Sequence, residues 1–115
     1  MVETRLFDLT GKVALLTGAS KGMGRAMAAG LAAHGATVVI SSRKQDQLDA
    51  AAAEINGEIG AERVHAVAAN AGRHEELEKL VAKTREIAGP IDVVVGNAGV
   101  NIFYGKISEI PDAAY

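Results

Sequence analysis

The stretch Thr17-Gly-Ala-Ser-Lys-Gly-Met-Gly24 holds the residue types and spacing that can do chemistry. Placed between a strand and a helix, such a turn aims backbone N–H groups at one point, and the helix N-terminus adds its partial positive charge there. A pyrophosphate is the natural guest. Each glycine has its own steric reason: Gly18 permits a tight turn, Gly22 lets a ligand approach the main chain, and Gly24 lets helix and sheet come close. Ser20, Lys21 and Met23 fill the positions between them. The turn is not a phosphate loop of the Gly-Lys-Ser/Thr kind, because Gly22 is followed by Met23 and Gly24 by Arg25.

A second position bears on which nucleotide such a turn takes. A site for NAD usually places a carboxylate at the end of the second strand to accept the ribose hydroxyls. Here Ser41-Ser-Arg43 stands at that point, with no Asp or Glu. Arg43 can grip a 2′-phosphate through a bidentate, charge-assisted pair, and Lys21 in the glycine turn supplies a second cation. The pair favours NADP(H) as cofactor over two solvated surface charges. Thr17 and Ser42 are polar neighbours for the same ligand, although a serine in a turn also bonds local backbone.

The rest of the chain supplies elements to position these groups. Val13-Ala-Leu-Leu-Thr17 is a short apolar run bounded by turn residues, as a strand buried on both faces would be. A helix follows the glycine turn, its face marked by Met23, Met27 and Leu31, and it ends near Gly35. Thr37-Val-Val-Ile40 reads as the second strand. A second helix begins after Lys44, with Leu48, Ala52, Ile55 and Ile59 as its stripe. Arg63-Val-His-Ala-Val67 is a third strand diluted by alanine, and Asn70-Ala-Gly72 turns the chain. The third helix carries Leu77, Leu80, Val81 and Thr84 inward, pairs Glu75 with Lys79 on its wet side, and stops at Gly89-Pro90. Ile91-Asp-Val-Val-Val95 is strand four. Residues 96–115 read as a loop in which Pro111 opens an unfinished helix. Four strands alternating with three helices call for an α/β fold with a doubly wound parallel sheet of Rossmann type. Residues 1–115 are expected to form one dinucleotide-binding domain, cut short at its C-terminal side.

Composition narrows the field further. Of the 115 residues, 49% are hydrophobic and 23% charged, which suits a soluble globular domain. Twenty-two are alanine, so the core must pack small side chains closely. A net charge of −2 gives no basic surface for nucleic acid and no polybasic patch for anionic lipid. The absence of cysteine rules out disulfides and thiolate metal sites and agrees with a reducing compartment, and the start lacks a signal-peptide pattern, so the cytoplasm is the expected location. His34, His65 and His74, on a helix end, a strand and a loop, lack metal-ligand spacing, and no metal site is expected. Asp92 is placed to make a structural hydrogen bond rather than to act as a catalytic acid.

The spacing Thr-Gly-x-x-x-Gly-x-Gly resembles that of the short-chain dehydrogenase/reductase family, and the resemblance runs from about Leu9 to the end. In that family an Asn-Ala-Gly after the fourth strand walls the cofactor site; Asn97-Ala98-Gly99 follows Val95 here. An Asp after strand three often lies beside the adenine, and this chain has Asn70 near that point. The resemblance, closest to NADP-dependent carbonyl reductases, implies hydride transfer between the cofactor and a small carbonyl or alcohol substrate, in a parent enzyme that is a homo-oligomer. It also implies a Tyr-x-x-x-Lys pair with a preceding Ser. Neither Tyr104 nor Tyr115 begins that pattern, so no catalytic residue is assigned and the 115-residue chain alone is expected to be inactive. An alternative is a stand-alone module that binds a nucleotide without chemistry, and a third is an inert oligomerisation domain. In the first reading strand four carries an unpaired edge, which predicts poor solubility.

Overall fold

The computed structural model describes residues 8–18, 22–70 and 73–96, together with the backbone of 101–104. In chain order the elements are β1 (Val13–Thr17), α1 (Gly22–Ala33), β2 (Thr37–Ser41), α2 (Gln45–Ile59), β3 (Val64–Ala66), α3 (His74–Ala88), β4 (Val93–Gly96) and β5 (Asn101–Tyr104). One sheet runs β3-β2-β1-β4-β5. The first four strands are mutually parallel, with Leu15 opposite both Val39 and Val94. This is the doubly wound, Rossmann-type α/β arrangement.

Why the strands read as unbroken apolar runs is visible in β1. Ala14 and Leu16 turn to one face, where they meet Ala28 and Ala32 of α1 and Leu48 and Ile55 of α2. Val13 and Leu15 turn to the other, against Leu77 and Leu80 of α3 and against Ile91. With helices on both faces Val13 to Leu16 are all buried, so alternation disappears from the sequence. Asp92 staples the amino end: its Oδ2 accepts the Val13 N–H at 2.9 Å, and its own N–H donates to the Val13 carbonyl at 2.9 Å.

Four expectations need correction. The inward stripe of α1 is Gly24, Ala28 and Ala32, one residue beyond Met23, Met27 and Leu31. Met23 is 74% exposed; Met27 and Leu31 only border the core. The smallest side chains take the contact because they let the helix approach the sheet most closely. On α3 the surface side-chain pairs are His74–Glu78 and Lys83–Glu86, not Glu75–Lys79, and His74 begins the helix instead of lying in a loop. Beyond β4 the chain does not stay a loop: β5 pairs antiparallel with β4, Gly96 opposite Asn101 and Val93 opposite Tyr104. The edge of β4 is therefore covered, not unpaired. Ile102, Phe103 and Tyr104 are strong strand formers, and the outward N–H and C=O groups of β4 require partners. Pro111 and the helix expected there lie outside the described residues.

Candidate functional site

Parallel strands end on the same rim, so the segments after β1, β2 and β3 converge there, with Thr17 and Ser41 directly in register. Gly18 leaves β1 with φ +67° and donates its N–H to the Ser41 carbonyl at 2.6 Å. That amide is spent on the sheet and is withheld from any anion. The amides that could meet an anion are those from Gly22, where α1 begins and its first N–H groups have no partner within the helix. Gly22 also has a positive φ of +67°, and a Cβ built on it meets nothing within 4 Å, so its main chain is open to close approach. Gly24 is buried against the sheet, and no acidic residue occupies the first turn of α1. Arg25, the cation of that turn among the described residues, is held by α2: its Nη2 lies 2.6 Å from Glu54 and 4.0 Å from Glu58. Ser20 and Lys21 lie outside the described residues.

The tip of β2 is organised by hydrogen bonds to its neighbours. Ser41 is buried, and its hydroxyl has no partner among the described residues. The half-buried Ser42 accepts the Lys44 N–H on Oγ at 3.3 Å, the local turn bond open to any such serine, and its carbonyl accepts the Ala69 N–H at 2.9 Å. Arg43 is exposed, and no described residue bonds its guanidinium. The Thr17 hydroxyl points from β1 to the Val95 carbonyl of β4, at 3.5 Å. Asn70 donates its N–H to Glu76 Oε1 at 2.8 Å. Thus Thr17, Gly18, Gly22, Met23, Gly24, Ser42, Arg43 and Asn70 share one rim; Asn97, Ala98 and Gly99 lie outside the described residues.

Two rim residues escaped the sequence reading. Gln45 Oε1 accepts the Ala68 N–H at 3.0 Å while Nε2 donates to Asp49 at 2.8 Å, which ties the segment after β3 to the start of α2. Glu76, in the first turn of α3, reaches back over Arg73 to Asn70. An acid in the first turn is a recognisable helix-start signal, so Glu76 was findable; a polar residue opening α2 carries no such mark. The rim fits a dinucleotide. Among the described residues it has open main chain at Gly22, no acid in the first turn of α1, and at the tip of β2 a guanidinium that none of them bonds. Among the described residues no three His, Cys, Asp or Glu side chains gather to hold a metal ion, and no helix is long and apolar enough to cross a membrane.

Comparison with known proteins places this rim in a family. The family model described as short chain dehydrogenase matches residues 12–115. Dehydrogenase/reductase SDR family member 4 of Homo sapiens is 41% identical over 112 residues, covering 97% of this chain and 40% of its own length. The chain thus spans about two fifths of that relative. Among solved structures, L-sorbose reductase of Gluconobacter frateurii, complexed with NADPH and L-sorbose, superposes with a TM-score of 0.74 at 36% identity, over 93% of this chain and 40% of that one. The 3-ketoacyl-(acyl-carrier-protein) reductase of Brucella melitensis, complexed with NADH, gives 0.69 at 35% identity, over 76% of this chain and 34% of that one. A parallel sheet with a glycine turn at its carboxyl rim, and a family match over nearly the whole sequence, lead to one conclusion: the chain belongs to the short-chain dehydrogenase family.

Proposed function

We propose that residues 1–115 are the NADP(H)-binding portion of a short-chain oxidoreductase that reduces a small carbonyl or oxidises the corresponding alcohol. The observation that carries the choice of cofactor is the tip of β2. Arg43 is exposed and bonded by none of the described residues, and positions 41–45 hold no carboxylate to receive ribose hydroxyls. In this reading the N-terminus of α1, with Ser20, Lys21, Gly22 and Met23, takes the diphosphate. Arg43 and Lys21 take the 2′-phosphate, Thr17 and Ser42 flank them, Asn70 lies by the adenine, and Asn97, Ala98 and Gly99 wall the cofactor site. Bound there, the nicotinamide supplies or accepts the hydride. The relatives support the class of cofactor and differ within it, one being complexed with NADPH and another with NADH. The whole protein is proposed to be a homo-oligomer of the cytoplasm, and this portion to lack turnover by itself.

Fluorescence titration of the purified chain tests the assignment. NADPH should bind more tightly than NADH, and Arg43→Ala should weaken NADPH by about 10- to 100-fold, the loss expected for a charge-assisted pair, while leaving NADH unchanged. Equal NADPH affinity in the variant removes the 2′-phosphate role of Arg43. A second reading, a module that binds the nucleotide without chemistry, is favoured by one observation: β5 covers the edge of β4. The coding sequence after Tyr115 separates the two, since a following Tyr-x-x-x-Lys supports the oxidoreductase and an immediate stop supports the module. A folded chain that binds neither nucleotide removes both.

A further inference from the structure

The outer strand β3 is guarded by side-chain amides from α2. In the β2–β3 pair the Arg63 carbonyl accepts from Val38 N–H at 2.8 Å, Val67 N–H donates to Ile40 at 3.0 Å, and Ala69 N–H donates to Ser42 at 2.9 Å. Residues 63, 67 and 69 thus turn toward β2, and by the alternation of a strand 64, 66 and 68 turn to the open edge. Those outward groups are a template for another chain. Asn56 occupies the first of them on both sides: its Oδ1 accepts the Val64 N–H at 2.9 Å and its Nδ2 donates to the Val64 carbonyl at 3.0 Å. The same Oδ1 takes the Arg63 N–H at 3.0 Å. Gln45, about three turns earlier on the helix, caps the far end through Ala68 N–H at 3.0 Å. Between the caps only Ala66 remains as an outward position. A groove of about 660 Å³ runs along this edge, lined by Asp49, Asn56, Glu62, Val64 and Ala66 among others, where an incoming strand would have to lie.

We propose that α2 stands in for a neighbouring strand, its Asn56 and Gln45 amides closing the β3 edge against strand addition by a second copy of this chain. An incoming strand needs successive outward groups spaced two residues apart, and the two caps leave it a single position. Nearly full burial of Asn56, at 8% exposure, keeps its amide fixed on Val64. The inference is independent of the nucleotide assignment.

Amide hydrogen exchange and sedimentation of the 115-residue chain test it. In the unaltered chain the Val64 and Ala68 amides should exchange slowly despite lying on the sheet edge. Asn56→Ala should speed exchange at Val64 by about tenfold or more, and should raise the sedimenting mass with concentration relative to the unaltered chain. Adding Ala66→Pro to that variant removes the outward N–H that a new strand would use and is tolerated on an edge; it should return the mass to the unaltered value. A folded Asn56→Ala that sediments like the unaltered chain overturns the proposal. Association that Ala66→Pro leaves undiminished does so too, because it then arises from unfolding and not from edge pairing. Should Asn56→Ala not fold, Gln45→Ala at its exposed site carries the test. Faster Ala68 exchange with increased association supports the guard, and unchanged sedimentation overturns it.

Discussion

Asp92 is the side chain that fixes where β4 meets β1, and it does so by exchanging two hydrogen bonds with Val13, each 2.9 Å. Val13 is buried, so removing the carboxylate strands its N–H without water. Asp92→Ala should lower unfolding stability by about 1–3 kcal/mol, read as a drop in the urea midpoint with unchanged slope, whereas Asp92→Asn keeps an acceptor and should retain most of it. This residue was legible in the sequence because an acid opening an apolar strand has few uses other than bonding backbone. Ser42 was legible in the same way and makes the local Lys44 bond. Two features were not. The Gly18 amide looked available to an anion, and only the β1–β2 register reveals that Ser41 takes it. Gln45 and Asn56 act on backbone N–H groups 7 to 23 positions away, a separation that no local pattern encodes.

At the scale of elements, β1 was legible from Val13 to Thr17 because buried parallel strands concentrate β-branched and aliphatic residues between turn signals. Helix faces were read less well where alanine prevailed. In α1 the bulky residues drew attention, yet the sheet selects Gly24, Ala28 and Ala32. At the end of α1 the chain reverses through Gly35, with φ +106°, where a Cβ would lie 2.7 Å from Thr10 Oγ1 and 3.0 Å from the Thr10 N. Thr10 cannot easily give way. Its hydroxyl donates to Asp8 at 2.6 Å and its N–H donates to the same carboxylate at 2.9 Å. These two bonds, the hydroxyl's first, hold the Asp8 carboxyl below its ordinary value. Gly35→Ala therefore meets both a left-handed backbone and a contact with main chain, and should cost about 1–3 kcal/mol. Thermal unfolding followed by circular dichroism would register it, and an unchanged midpoint would show that the Thr10 turn yields.

For the molecule as a whole, the order β3-β2-β1-β4-β5 puts β1 at the centre, with Leu15 and Leu16 fully enclosed. Opening that strand requires separating both hydrophobic clusters, so its amides should exchange only through global unfolding, while those of β5 on the opposite edge exchange by local opening. Hydrogen exchange that ranks β1 no slower than β5 would contradict the two-cluster description. The overall class was legible because alternating strands and helices leave few topologies. The antiparallel return of β5 was not, because pairing across a short reversal is decided by what β4 leaves open and not by local glycine content. One bond described above sets a dimension for the entire carboxyl face. With Gly18 clasped to Ser41, the start of the glycine turn and the base of the Arg43 arm are fastened to one another. A molecule bridging them would meet a span set by the β1–β2 register rather than by either loop alone.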